Sequence, residues 1–132
     1  MIYSRLAFDI LDLFFDGELN AELFKNQIKD LNIYEIEYTG FGAFISFKNH
    51  PEIYKFRAQY GSLKENKSII SDGVIIKNPT LNIEASAVIF IEDGIIESIE
   101  IFNYNGYEYP QSELEHYEVS QNWGDFKRKI IR

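Results

Sequence analysis

The N-terminal part of the chain has the hydrophobic periodicity of two short helices. Apolar side chains recur every three or four positions over residues 2–16, which places them on one helical face, and they are Ile2, Leu6, Ile10, Leu13 and Phe14. Asp16-Gly17 predicts the end of this helix, because glycine readily adopts the left-handed conformation that follows many helices. A second helix is predicted over about 20–31, with Asn20 as its N-cap. Its inner stripe comprises Leu23, Phe24, Gln27, Ile28 and Leu31.

From Ile33 the period changes to two, which is typical of a strand with one solvated face. Tyr34, Ile36 and Tyr38 alternate here with glutamates and a threonine. Gly40-Phe41-Gly42 predicts a turn or bulge, and Ala43 to Phe47 predicts a second strand. Residues 49–66 are irregular, although Pro51 favours a short helix start.

The second half of the chain contains the strongest strand signals. Two β-rich runs, about 82–91 and 95–104, flank Asp93-Gly94, a pair that suits the positive φ angles of a tight hairpin. A further strand is predicted over 73–77, ended by Asn78-Pro79. The remaining predictions are a turn at Asn105-Gly106, an edge strand or extended strap over 107–119, and either a helical turn or a loose tail from Trp123.

Helices followed by strands predict an α+β protein rather than an alternating α/β one. The expected form is an antiparallel sheet of five to six strands with the two N-terminal helices packed on one face. A length of 132 residues predicts a single domain over 1–132. We place its core at about 2–119 and a basic tail at 120–132.

Composition limits the chemistry and the compartment. The chain has no cysteine, which excludes disulfides and thiolate zinc sites. No apolar run approaches the roughly 20 residues that span a bilayer, and the first residues lack the features of a signal peptide. We therefore expect a cytoplasmic protein with no membrane partner.

The charge is acidic and uneven. Thirteen basic and 21 acidic residues give a net charge of −8, yet Lys127, Arg128, Lys129 and Arg132 lie in the last six positions. Residues 1–124 hold 9 basic and 20 acidic groups, a charge of −11. Such a body repels phosphate backbones, so direct nucleic-acid binding is disfavoured, whereas a basic protein partner would be attracted. Ordinary solubility is the alternative explanation.

No catalytic, cofactor or metal site is predicted. His50 and His116 lack metal-ligand spacing, and no serine elbow or phosphate-binding glycine loop is present. Glu97 and Glu100 are separated by an odd number, so a regular strand would put them on opposite faces. The chain is therefore interpreted as non-enzymatic.

Two groups of residues are candidates for binding a partner. Asp9, Asp12 and Asp16 fall on one side of the first helix and could form a docking face for cationic side chains, the alternative being a solvated face. Aromatic residues number 21 of 132, and several lie near carboxylates late in the chain, where rigid rings and charge together favour recognition. The predicted residues of this second group are Glu97, Tyr104, Tyr107, Glu108, Tyr109, Glu113 and Tyr117.

Several short sequences also resemble those of a known group of proteins. They are Asp72-Gly73-Val74, Leu81-Asn82-Ile83-Glu84-Ala85, Asp93-Gly94-Ile95-Ile96, Ile99-Glu100-Ile101, Asn105-Gly106 and Glu108-Tyr109-Pro110. The chain, from the first helix to Tyr117, resembles small acidic bacterial proteins that are similar to immunity proteins of polymorphic or contact-dependent growth-inhibition toxin systems. The tail from Ser120 lies outside the resemblance. The matching residues are ones that determine the fold, so the resemblance assigns no functional residues.

The resemblance implies a non-catalytic immunity protein that binds and neutralises a cognate toxin, such as a nuclease. The negative charge of the chain would attract a positively charged partner of this kind. One alternative is a small carboxylate- and tyrosine-based enzyme or ligand-binding domain. Another is an interaction module that forms homo-oligomers.

Overall fold

The computed structural model describes residues 4–16, 21–48, 68–92, 94–121 and 128–132, without the side chains of Leu23 and residues 68–72. Two helices, α1 (Arg5–Phe14) and α2 (Ala21–Ile28), come first. The strands that follow are β1 (Asn32–Tyr38), β2 (Gly42–Lys48), β3 (Ser68–Asn78), β4 (Ile83–Glu92), β5 (Ile95–Asn103), β6 (Glu118–Gln121) and β7 (Lys129–Ile131). A 3₁₀ turn, Pro79–Leu81, connects β3 to β4.

The strands form one antiparallel sheet in the order β1-β2-β5-β4-β3-β6-β7. The predicted α+β class and antiparallel sheet are confirmed, but the sheet has seven strands among the described residues rather than five to six. The additional strand is β7, which lies in the tail. Three residues are too few for alternation to be recognised in a sequence, so β7 was not predicted. The predicted helical turn is wrong for residues 128–132.

One face of the sheet and both helices share a single hydrophobic core. In β4 the inward side chains alternate strictly with outward ones, and Ile83, Ala85, Ala87, Ile89 and Ile91 are all buried. The predicted stripes of the helices supply the opposite side. From them Leu6, Ile10, Leu13, Phe14, Phe24, Ile28 and Leu31 are buried. The hydrophobic pattern thus identified the inner face of both helices and of β4.

Local signals explain where several elements begin and end. Ser4 caps α1, since its Oγ accepts a hydrogen bond from the N–H of Ala7 at 3.0 Å. In the hairpin Glu92 pairs with Ile95, and Gly94 has a φ of 78°, so the predicted β4–β5 hairpin is confirmed in its strands. Other predictions fall outside the described residues: the Gly17 stop, the Asn20 cap, the helix from Pro51, and Asp93.

A bulge corrects the prediction for the first strand. Tyr34 was expected to share a face with Ile36 and Tyr38, but the β1–β2 register shifts between Ile33 and Glu35. The extra residue breaks the alternation, and Tyr34 is 71% exposed.

Candidate interaction surfaces

The acidic side of α1 faces cationic side chains of the same chain. Arg132 donates to both carboxylate oxygens of Asp9, through Nε at 2.9 Å and Nη2 at 2.8 Å. Arg128 donates to Asp16 at 2.7 Å and to Asp12 at 3.1 Å. These contacts fold the basic tail onto the helix, so the charge patterns at the two ends of the sequence complement each other within the molecule.

Asp9 is the most enclosed of the three aspartates, with 1% of its surface exposed. The hydroxyl of Tyr117 donates to Asp9 Oδ2 at 2.6 Å. Burial by itself would raise the pKa of Asp9, but the hydrogen bonds from Arg132 and Tyr117 outweigh it and lower that pKa. The same surroundings, burial first and the carboxylate second, raise the pKa of Tyr117. Asp9 and Tyr117 are therefore internal groups rather than exposed docking residues.

Asp12 and Asp16 lie nearer the surface. Lys25 of α2 forms an ion pair with Asp16 and lies 3.5 Å from Asp12. Burial opposes the ionised form of Asp16, yet the bonds from Lys25 and Arg128 lower its pKa overall. The predicted face does bind cationic side chains, but these come from α2 and from the tail.

The predicted aromatic and acidic group of the strap divides into buried and exposed members. Tyr109 is 3% exposed, and its N–H donates to the carbonyl of Gly40 at 2.8 Å. Glu113 accepts from Ser4 Oγ at 2.8 Å and from the N–H of Leu6 at 3.3 Å, which places a carboxylate at the N-terminus of α1. Tyr109 and Glu113 thus serve the fold.

Glu97 lies at an irregular position of β5. Along β4, Phe90 pairs with Ser98 of β5, but the next residue, Ile91, pairs with Ile96. Glu97 is the extra residue between these pairs and is partly buried. The regular alternation that we expected for Glu97 and Glu100 does not hold here, because a bulge intervenes.

The exposed members lie together with other apolar side chains at one end of the sheet. Among the described residues, eight large hydrophobic side chains are well exposed, and five of them occur in this region. We call these five the aromatic end: Phe41, Leu81, Phe102, Tyr104 and Tyr107. Tyr104 and Tyr107 are 49% and 57% exposed, and Glu108 beside them is exposed as well.

Buried asparagine contacts hold this end in place. Asn103 is 1% exposed; its N–H donates to Phe41 O at 2.7 Å and its side chain donates to Tyr107 O at 2.9 Å. Its Oδ1 accepts from the N–H of Glu84 at 2.8 Å. The side chain of Asn103 therefore ties β4 to the strap, while its backbone N–H holds the β1–β2 turn. Sequence reasoning missed Asn103, because nothing in a strand pattern distinguishes a hub of hydrogen bonds from an ordinary polar position.

Two further bonds fix the turn that carries the exposed tyrosines. Asn105 Nδ2 donates to Asn82 O at 2.6 Å, and Asn105 Oδ1 accepts from the N–H of Tyr107 at 3.1 Å. Asn82 itself has a φ of 56°, a conformation that asparagine tolerates better than most residues. The exposed rings are thus presented on a frame with little freedom.

The surroundings of the aromatic end are acidic. No lysine or arginine occurs between Lys77 and Lys127, a stretch that contains ten acidic residues. Burial, followed by the nearby carboxylate of Glu84, raises the pKa of Tyr104. Lys77 is the register partner of Glu84 across β3 and β4. The local field around the exposed rings therefore favours a cationic ligand.

A shallow cleft lies on the other side of the strap. The space in it that a water-sized sphere can occupy is about 10 Å³, which is room for about one water molecule and not for a small-molecule ligand. Tyr38, Tyr109 and Glu113 contribute to its lining. A pocket lined by Glu97, Tyr104 or His116 would favour the ligand-binding alternative, and none of these three residues lines this cleft.

Three further findings bear on function. Within the described ranges, no group of three histidines or carboxylates is close enough to hold a metal ion; His116 is exposed, and His50 lies outside these ranges. In the same part of the chain, no helix combines the length and apolarity required to cross a bilayer. No family model, curated protein or solved structure matches this chain.

Proposed function

We propose that this chain is a non-catalytic binding protein that neutralises a basic partner protein, as an immunity protein neutralises its cognate bacterial toxin. The observation that carries the proposal is the aromatic end, where exposed rings stand on a hydrogen-bonded frame in an acidic stretch of the chain. The resemblance of the sequence to small acidic bacterial proteins that are similar to immunity proteins of toxin systems supports the same function.

The physical argument begins with the rings. Exposed aromatic side chains lower the solubility of a protein. A contiguous group of them therefore commonly marks an interaction site. Tyr104 and Tyr107 each offer a flat apolar area with a polar hydroxyl, which suits a desolvated interface core. Asn103 and Asn105 already fix the backbone beneath these rings. The free-energy cost of ordering this surface when a partner binds is therefore small.

The charge supplies the second part. Carboxylates such as Glu84 and Glu108 would attract a basic partner over several ångströms and orient it before contact. Lysine and arginine side chains of the partner could then stack on the tyrosine rings as well as pair with these carboxylates. The expected interface thus combines rapid, salt-dependent association with slow dissociation governed by the rings.

The test uses the purified full chain and the protein encoded by the adjacent gene. We expect a stable complex by calorimetry, and protection of cells that express the adjacent gene product. The double variant Tyr104→Ala/Tyr107→Ala should weaken binding by about 1,000-fold, since two hot-spot tyrosines at about 2 kcal/mol each sum to about 4 kcal/mol.

Tyr34→Ala is the matched control, because Tyr34 is also an exposed tyrosine but lies in the bulge of β1. It should leave affinity unchanged, and circular dichroism should show all variants folded. Absence of both complex formation and protection would overturn the function. Binding that the double variant does not weaken would remove the aromatic end from the interface.

A further inference from the structure

Strand β7 is attached to the sheet in an unusual way. It pairs with β6 through only three residue pairs, and the N–H of Arg132 extends the contact to Tyr117 O at 2.9 Å. Of its three side chains only Ile130 is partly buried and packs against the core, whereas Lys129 is exposed and Ile131 is 73% exposed. Apolar packing therefore contributes less to holding β7 than it does for the inner strands.

Ion pairs provide most of the remaining attachment. Arg128 and Arg132, which flank the strand, contact Asp16, Asp12 and Asp9. Lys129 adds a looser pair with Glu118 at 3.6 Å. Interactions between partly exposed charges weaken as the ionic strength rises, whereas apolar burial does not. The attachment of β7 to β6 should thus depend on salt more strongly than the pairing between any two inner strands does.

Its neighbour β6 is anchored independently. Gln121 is buried, and its Nε2 donates to the carbonyls of Leu13, Phe14 and Asp16 at 3.1, 3.3 and 2.9 Å. Val119 lies in the core with no exposed surface. These contacts remain when β7 is absent from the edge, so β6 does not need β7 to stay in the sheet.

We propose that β7, with Arg128 and Arg132, is a salt-sensitive clasp that opens as a unit while the rest of the sheet stays folded. Closed, the clasp covers the backbone edge of β6 and neutralises the carboxylates of α1. Open, it exposes the edge of β6 and frees the aspartates of α1 from the two arginines, so that an external cation can reach Asp9, which is 1% exposed when the clasp is closed. The inference is independent of the proposed function, because it concerns contacts within one chain.

Hydrogen exchange of the full chain, read amide by amide, tests the clasp. The Arg132 amide reports directly, because it donates to Tyr117. At low salt it should exchange at least about 10-fold faster than the paired amides of β3 and β4, which open only with the whole protein. Raising sodium chloride from about 0.05 to 0.5 M should accelerate exchange in β7 and leave β3 and β4 unchanged.

Variants separate the two arginine contacts from general charge effects. Arg132→Ala at low salt should reproduce the fast exchange that high salt gives in the parent chain. Lys129→Ala is the matched control and should have little effect, since its pair with Glu118 is longer and more exposed. Exchange in β7 at the rate of β3 and β4, or exchange insensitive to salt, would overturn the clasp. If Arg132→Ala prevents folding, the salt series on the parent chain decides.

Discussion

Arg132 and Asp9 are 123 positions apart in sequence and form a two-point ion pair in the structure. The pair joins the last described strand to the first helix, while Tyr117 holds the same carboxylate from the strap. Asp9 is therefore the point at which three separate segments of the chain meet. A carboxylate in that position is expected to affect stability far more than an aspartate on a solvated helix face.

Asp9→Asn should destabilise the fold. The substitution keeps the shape of the side chain but removes the charge that Arg132 and Tyr117 bind. Hydrogen bonds to charged groups contribute about 1.5–3 kcal/mol when buried, and the partly exposed arginine reduces this, so we expect a loss of about 1–3 kcal/mol. Urea unfolding measures it. Asp12→Asn is the control and should cost less than about 1 kcal/mol, because its pairs are exposed; equal losses would contradict the central role of Asp9.

The stability should also fall in acid. Despite burial, the hydrogen bonds to Asp9 and Asp16 hold both pKa values below the ordinary 3.8. The unfolded chain then binds protons more readily than the folded one, so these pairs stabilise above about pH 4 and their contribution is lost as the pH falls through the folded values. Urea unfolding between about pH 5 and 2 should show this decline. The decline should be shallower in Asp9→Asn, and parallel curves for the two proteins would refute the assignment.

Local patterns predicted the elements better than their contacts. The alternation of β4, the β-rich run of β5 and the glycine between them are properties of adjacent residues, so the hairpin could be predicted directly. The contact of Arg132 with Asp9 could not, because charge patterns show the sign of an interaction but not which of many distant groups provides it. Strand β7 was missed for the same reason, since its position depends on those distant carboxylates.

The four tyrosines between Asn103 and Glu118 illustrate the same limit within one segment. Tyr104 and Tyr107 are exposed whereas Tyr109 and Tyr117 are buried, although all four occur in similar acidic surroundings. No helical or strand period governs an extended strap. What decides is tertiary anchoring, to the carbonyl of Gly40 for Tyr109 and to Asp9 for Tyr117. The sequence identified the group as unusual but could not separate its members.

Gln27 should be essential for the seating of the central hairpin. It is fully buried; its Nε2 donates to Gly94 O at 2.9 Å and its Oε1 accepts from the N–H of Ile96 at 2.7 Å. Gln27→Ala leaves two buried backbone groups without partners, at a cost of about 2–4 kcal/mol. Thermal and urea unfolding measure the loss. Gln111→Ala, at an exposed position, should change stability by less than about 0.5 kcal/mol, and a similar loss in both would disprove the role.

Charge reversal should separate binding from folding at two glutamates of the strap. From sequence alone, Glu108→Lys and Glu113→Lys are both predicted to weaken partner binding without disturbing the fold. The structure changes the expectation for Glu113, which caps α1. Glu113→Lys removes an acceptor and puts a positive charge at a helix N-terminus, which should cost about 1–2 kcal/mol.

Glu108→Lys should leave the melting temperature unchanged and reduce only the association rate with the adjacent gene product. Circular dichroism melts and stopped-flow binding distinguish the two effects. A stable Glu113→Lys protein would show that the cap is unimportant.

The glycines of the β1–β2 turn should respond differently to the same substitution. A Cβ on Gly42 would lie 1.7 Å from the carbonyl oxygen of Ile101, so Gly42→Ala must push β2 away from β5. We expect a loss of about 3 kcal/mol or more, as for other substitutions that overpack a rigid backbone contact. Gly40 has a φ of 89° with open space around it, so Gly40→Ala should cost only the strain of a left-handed alanine, about 1–2 kcal/mol. Urea unfolding ranks the two, and a Gly40→Ala loss equal to or above that of Gly42→Ala would show that β2 and β5 are less closely held than their pairing implies.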